Sequence, residues 1–376
     1  MRENNKSVIL LLLTALCVIA SCSDGGEDTP TMELAAYVPQ YIETDSSRTA
    51  TRSWPPTGFV SYSTLIGQFS GQTSNDGASI GVFFTKDNMS PPVTGRFRKG
   101  SDDRWRTNIE VDPDDYYVYG FVPYEAAQTA TVSSADYATG ATITLNGLNT
   151  VDNKDVCVAV GVKDGSNATT VEGLEEGLFA TTIRSGENTN FIFMLFEHIM
   201  AGFRFNYSIN ASYAAVRTIK VKKVELRAFN GSDPVTQRVN ATITLAGGAA
   251  INNAITSVVF EPVAGSGDSE GTLFNAETEQ EHLTLDPTTP TDILGTFPPT
   301  TATRFQLVTT YDVYDAASTP NLIRENEQAT NTFTAAVFGG ALQAGRIHTL
   351  HITVNPTYLY MLSDPDMDNP SFSITE

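Results

Sequence analysis

Cysteine is scarce in this chain of 376 residues: there are three, at Cys17, Cys22 and Cys157. The first lies inside an apolar N-terminal run and the second closes it. A chain that matures to begin at a modified Cys22 therefore keeps one thiol, and no disulfide can form within the monomer. Cys157, in Asp155-Val-Cys-Val-Ala-Val-Gly161, reads as a small buried hydrophobe rather than a nucleophile. Positive charge is also thin, with 23 Lys and Arg against 43 Asp and Glu and a net charge of −20. Setting aside Arg2, Lys6 and Glu3 leaves about −21 for the remainder. Such acidity argues against nucleic acid or an anionic membrane surface as a partner, and it favours solubility through self-repulsion. The four histidines, His198, His282, His348 and His351, show no metal-ligand spacing with cysteine or an acidic motif. His198 reads as a residue packed beside a strand, and His348 and His351 as occupants of opposite faces of one strand. No Gly-x-Ser-x-Gly elbow, phosphate loop or dinucleotide fingerprint is present. No catalytic, cofactor-binding or metal-binding residues are assigned, and the expectation is a protein that is not an enzyme.

What is there begins with the first 22 residues. Arg2 and Lys6 supply a positive n-region, and the apolar run from Val8 to Ala20 is long enough for a signal sequence but too short to span a bilayer. Ile19-Ala20-Ser21-Cys22 resembles a bacterial lipobox, in which the cysteine sulfur takes a diacylglycerol, becomes the new N-terminus and is acylated again. Two or more acyl chains, at roughly 0.8 kcal/mol per buried methylene, anchor stably where one does not. Residues 1–21 are thus expected to be a lipoprotein signal peptide and residues 22–31 an acidic tether. Ser23 stands where an aspartate would favour the inner membrane, and Asp24, Glu27 and Asp28 look like a surface-sorting signal. The address expected is the outer membrane, facing outward. The alternatives are an ordinary secretory signal with an incidental Cys22, and a merely polar linker from Ser23 to Pro30.

From Met32 onward the pattern is β throughout: short runs of β-branched and aromatic residues separated by Gly, Asn, Asp and Pro. Clear examples are Ile80 to Thr85, Tyr116 to Val122, Val156 to Val162, Phe191 to Phe196, Ile219 to Phe229 and Phe305 to Tyr314. Many short strands with turn-rich joints argue for an all-β chain built of sandwiches. In the strand from Ile219, the apolar Ile219, Val221, Val224 and Leu226 face a core, the lysines face water, and Lys222-Lys223 marks a bulge. The stretch Gly231 to Thr303, rich in Gly, Ala, Asn and Thr, is expected to hold few strong strands and long connections. No internal repeat is evident.

Three segments together resemble the fimbrillin family, the lipoprotein subunits of type V pili in Gram-negative bacteria. They are the tryptophan strand leading into Tyr116-Tyr-Val-Tyr-Gly-Phe-Val-Pro123, the stretch Phe196-x-His198-x-Met200-Ala201 with the strand Ile219 to Leu226, and Ala344-Gly-Arg-Ile-His-Thr-Leu-His-Ile-Thr-Val354 running into Asn355-Pro-Thr-Tyr-Leu-Tyr360. The resemblance implies two tandem transthyretin-like β-sandwich domains, Ig-like and Greek-key, over residues 32–190 and 191–376. It also implies assembly. An arginine-specific protease cuts near the N-terminus, the first strand leaves with its lipid, and the exposed groove takes a strand from another fimbrial subunit. The strand expected to leave is Met32 to Ile42. The cut sites expected are Arg48 and Arg52, in the small, polar segment Asp45 to Ser53, although both arginines also read as solvated loop residues. By the same analogy the donor comes from the C-terminal region, where Ser371-Phe-Ser-Ile-Thr375 alternates with period two.

Two other features have plainer readings. Asp364, Asp366 and Asp368 are similar to a calcium loop, but Asn369 stands where glycine is needed and Thr375 where glutamate is needed, which favours a turn. Trp54, Trp105, Tyr116, Tyr117 and Tyr119 suggest a sugar-stacking platform, yet alternation along a strand splits the tyrosines between two faces, so packing is the default. The competing function is a non-polymerising surface lipoprotein or tip adhesin that binds host glycan or protein. Because Cys22 is the candidate acylation site, Cys22→Ala should abolish metabolic labelling with palmitate and release the protein from the membrane; labelling that persists removes the lipoprotein reading.

Overall fold

The alternation of apolar residues is realised as strands almost everywhere in the computed structural model, which describes residues 32–39, 42–43, 59–61, 79–99, 105–107, 109–149, 155–164, 178–185, 190–248, 254–263, 270–276, 278–299, 302–317, 319–338, 342–358 and 365–375. In chain order the first twelve strands are β1 (Met32–Pro39), β2 (Ile42–Glu43), β3 (Phe59–Ser61), β4 (Ser79–Thr85), β5 (Val93–Lys99), β6 (Trp105–Thr107), β7 (Asp114–Val122), β8 (Thr129–Ser133), β9 (Gly140–Asn149), β10 (Cys157–Asp164), β11 (Ala180–Ile183) and β12 (Asn190–His198). There follow β13 (Ala201–Ile209), the single-turn helix α1 (Ala211–Ala214), β14 (Arg217–Asn230), β15 (Asp233–Pro234), β16 (Arg238–Ala246), β17 (Ile255–Pro262), β18 (Glu270–Asn275), β19 (Leu283–Thr284), β20 (Thr291–Phe297), β21 (Arg304–Asp315), β22 (Leu322–Thr334), β23 (Arg346–Tyr358) and β24 (Pro365–Thr375). No described helix is long and apolar enough to cross a membrane. The chain is all-β.

Strands β7, β4, β5, β6, β1, β12 and β10 follow one another round a ring that closes where Cys157 and Val158 pair with Val122 and Phe121. β11 extends the free edge of β7, and β3 adds to the end of β1. Beside the ring lies a four-stranded sheet, β17-β16-β9-β8. Ring and sheet share one core, which runs from Met32 to Met200 in sequence and then takes in Val239, Ala241, Ile243 and Leu245 of β16. A second core starts at Ala201, between a sheet of β2, β23, β13, β20 and β24 and a sheet of β15, β14, β21, β22, β18 and β19. Its centre is aromatic: Phe203 packs edge-on to Phe305 at 5.9 Å between ring centroids. The change of core thus falls after Met200. β12, which begins at the Asn190 position where the sequence places the division, is a full member of the ring.

The strand β14 follows its sequence closely. Ile219, Val221, Val224, Leu226 and Ala228 are all fully buried. An odd spacing separates Val221 from Val224, and strict alternation would turn one of them outward. The register against β21 shifts between Val221 and Lys223, so the extra residue resets the phase and both valines face the core. Lys222, at the bulge, reaches out to the buried Asp312 of β21 at 3.4 Å and donates to Asn326 Oδ1 of β22 at 2.7 Å.

Gly231 to Thr303 is not mainly connection: it carries β15 to β20, and β16 alternates buried Val239, Ala241, Ile243 and Leu245 with polar neighbours. Small and polar residues dilute its composition, but the period-two pattern survives. Of the aspartate-rich C-terminal stretch, Asp364 lies outside the described residues, and residues 367–369 stand out of the ladder where a turn is expected. Asp366 to Thr375 lie in β24, whose pairing with β23 skips from Pro370 to Asp366 in an irregularity.

His348 on β23 is buried while His351 is exposed, as opposite faces require. Burial beside Phe203, with the Arg346 guanidinium adding a smaller push, lowers the His348 imidazole to about 4. The unfolded chain, with an ordinary imidazole near 6.5, then binds more protons between these two values. This contribution to stability is full above pH 6.5 and is lost as the pH falls towards 4. Chemical-denaturation free energies measured across this window should decline more steeply with acid for the wild type than for His348→Leu; equal slopes would show that His348 is not the titrating group.

Candidate functional site

The assembly reading depends on whether the first strand fills a place that nothing else fills. Met32, Leu34 and Ala36 of β1 are buried, and Glu33 and Ala35 alternate with them at half-buried positions. The inward three join the first core. On one edge β1 pairs in parallel with β12 from Met32↔Asn190 to Tyr37↔Leu195. On the other it pairs antiparallel with β6 through Met32 to Leu34 and with β3 through Tyr37 to Pro39. The outward Glu33 is tied down by the Arg106 guanidinium, whose Nε lies 3.0 Å from Oε1. Both edges and the inward face of this strand are therefore in use.

β2 joins a different sheet, with Ile42 opposite Arg346 and Glu43 opposite Ile347 in parallel with β23. The N-terminal segment thus contributes a strand to each of two sheets before the positions of Arg48 and Arg52 are reached. Cys22, Arg48, Arg52 and Trp54 lie outside the described residues. The C-terminal candidate donor lies within β24, at the edge of β23. There Phe372 is buried against Tyr311 at 4.8 Å between ring centroids, and Ser371 and Ser373 are exposed.

The tyrosine cluster is dispersed by packing. Tyr116 and Tyr119 are buried; the Tyr116 hydroxyl donates to Asp112 O at 3.0 Å, and Tyr119 stacks on Phe179 at 4.7 Å. Tyr117 is half-buried and stacks on Tyr137. Trp105 is buried in the ring. A half-open cleft of 410 Å³ runs along β7 and β11, lined by Asp115, Tyr116, Tyr117 and residues 180–182.

One constellation is not visible from sequence spacing. Asp155, just ahead of β10, Cys157 at its start and His198 at the end of β12 meet inside the first core, all three buried. His198 Nδ1 lies 3.0 Å from Asp155 Oδ2, 3.1 Å from Oδ1 and 3.3 Å from Cys157 Sγ. Burial, with the Asp155 carboxylate adding to it, pushes the Cys157 thiol well above its ordinary value, so it is a thiol and not a nucleophile. The Asp-x-Cys spacing places two of these groups on one strand face, which was the available signal. The antiparallel pairing that brings His198 opposite Cys157 leaves no mark in the sequence.

No family model matches the chain, and no curated protein matches it either. Solved structures similar to it in chain course include a candidate cell adhesion protein from Bacteroides fragilis, 12% identical, covering 92% of this chain and 97% of its own, with a TM-score of 0.44. A fimbrial protein from Bacteroides vulgatus is 12% identical, covering 91% and 98%, with a TM-score of 0.38. A candidate cell adhesion protein from Bacteroides uniformis is 13% identical, covering 92% and 98%, with a TM-score of 0.39. At these values the likeness assigns no function, and the reading that follows rests on the chain's own residues and strands.

Proposed function

We propose that the chain is the precursor of a type V fimbrial subunit: a lipoprotein anchored through Cys22, built as two transthyretin-like halves, and assembled by strand donation after an arginine-specific protease cuts at Arg48 or Arg52. The observation that carries this reading is the place of β1. It is separated in sequence from every other strand of the ring by the segment that holds both arginines, and it has partners on both edges. Loss of the segment removes β1 and β2 together. It leaves two rows of unpaired backbone groups and a trough where Met32 and Leu34 were, whose burial contributes roughly 3–6 kcal/mol. A sheet opened in this way is unfavourable until another strand fills it. A segment like Ser371 to Thr375, with Phe372 and Ile374 on one face, has the alternation the trough needs, and its release from β23 is then part of assembly. Adhesion is carried by the assembled fibre.

The second reading is a non-polymerising surface lipoprotein or tip adhesin, and the cleft along β7 and β11 favours it. Asp115, the half-exposed Tyr117 and Thr182, whose hydroxyl donates to Asp115 Oδ1 at 2.7 Å, offer a carboxylate, an aromatic ring and a hydroxyl along one cleft, a combination suited to a glycan.

Two outcomes are expected. Trypsin-like protease should cut the intact chain first at Arg48 or Arg52; the uncut chain should stay monomeric and the cut one should form ladders of oligomers that survive mild denaturant, with Arg48→Ala and Arg52→Ala together blocking the change. Clean loss of the N-terminal segment without oligomers at high concentration would favour the second reading. Leu34→Ala should destabilise the uncut chain by about 2–5 kcal/mol and leave the cut product unchanged, because that product no longer contains the residue. An equal loss in both forms would mean that β1 stays after cleavage.

A further inference from the structure

The meeting of Asp155, Cys157 and His198 calls for a physical account of its own. A carboxylate, a thiol and an imidazole share one point in a core where their chain neighbours Val156, Val158 and Ile199 are fully buried and Glu197, beside His198, is half-buried. Three apolar side chains of similar volume would fill such a place without the desolvation of polar groups. Hydrogen bonding accounts for part of the arrangement, since the carboxylate can accept from both the imidazole N–H and the thiol S–H. The contact of 3.3 Å between Nδ1 and Sγ sets the thiol beside the same nitrogen, with the imidazole tautomer deciding which group donates. All three donor atoms lie within 4.8 Å of one another, and each is of a type that binds zinc.

We propose that Asp155, Cys157 and His198 form a binding site for a divalent transition-metal ion of the zinc class, with a structural role in the first core. Zinc takes thiolate sulfur at about 2.3 Å and imidazole nitrogen or carboxylate oxygen at about 2.0–2.2 Å, which in a tetrahedron sets the ligands roughly 3.3–3.6 Å apart. His198 Nδ1 stands 3.0–3.1 Å from the Asp155 oxygens and 3.3 Å from Cys157 Sγ, a few tenths of an ångström shorter, and the three ligand atoms all lie within 4.8 Å of one another, so loading requires them to settle around one point beside Nδ1. Charge balances as well. The ion's two positive charges meet one carboxylate and one thiolate, and the imidazole coordinates as a neutral ligand through Nδ1. Cys157 gives up its proton as the metal–sulfur bond forms, so binding weakens in acid. The fourth position falls to water or stays open. Because all three groups are buried, the ion enters while the chain folds. Once bound, it ties the start of β10 to the end of β12, the strand that flanks β1.

The test is to unfold the full chain, refold it with cobalt(II) as the spectroscopic probe, remove excess ion and measure metal content and absorption. The expected result is about one ion per chain, a thiolate-to-cobalt charge-transfer band in the near ultraviolet, and the intense visible bands of a four-coordinate ion. Cys157→Ser should lose the charge-transfer band and weaken binding by at least tenfold, since even residues that only support a ligand are worth about 10–100-fold. If Cys157→Ser fails to fold, His198→Asn serves as the second variant, expected to lower metal content to the same extent while its circular dichroism reports folding. Wild-type chain that refolds but retains less than about a tenth of an ion overturns the proposal and leaves a hydrogen-bonded polar cluster. A charge-transfer band that persists in Cys157→Ser also overturns it, because no other described cysteine is available.

Discussion

A strand with neighbours on both edges cannot be taken away without leaving two rows of backbone donors and acceptors to find new partners, and that constraint governs the first half of this molecule. The ring of seven strands closes through β1, which arrives from the far N-terminal side of a long intervening segment, whereas its other six members lie between Ser79 and His198. The inward Met32, Leu34 and Ala36 complete the core, and Glu33 is held by Arg106. Geometry, pairing and burial at this one strand therefore set the stability of everything packed around it.

The same connection recurs without any repeat in sequence. β1 runs parallel to β12 in the first half, and β13 runs parallel to β23 in the second, so in each half an opening strand lies beside a late one. Parallel neighbours require a long crossover, which here is most of the half itself. The two halves nevertheless enclose their cores differently. The first closes its main sheet on itself beside a smaller sheet, and the second faces two open sheets across a cluster of phenylalanines.

Much of this was legible in the residues, and what was not has a common cause. The inward set of β14 and its bulge at Lys222 could be read because alternation is local: a break in a period of two shows within three residues. The burial of Cys157 follows from its apolar neighbours in the same way, whereas Trp105 is a lone apolar residue alternating with Arg104 and Arg106. The ring closure, the placing of β12 in the first core and the convergence of His198 on Asp155 and Cys157 depend on pairings between strands far apart in sequence, which leave no periodic trace. Between Gly231 and Thr303, composition misled where pattern did not, since Thr and Asn on the outward face of β16 diluted a correct alternation.

The hairpin of β16 and β17 belongs to the second half by position in the chain and to the first core by packing, through its pairing with β9 from Arg238↔Asn149 to Ala246↔Gly140. Synthesis from the N-terminus must therefore deliver everything through Pro262 before the first core can close. Until then the edge of β9 that β16 takes has no partner strand, and the part of the shared core that Val239, Ala241, Ile243 and Leu245 close stays open. The two halves are consequently not beads that fold in order of arrival. The order of completion is interleaved, and a chain halted before β17 would present an open sheet edge and an incompletely covered apolar core, the combination that holdase chaperones recognise and that aggregation exploits.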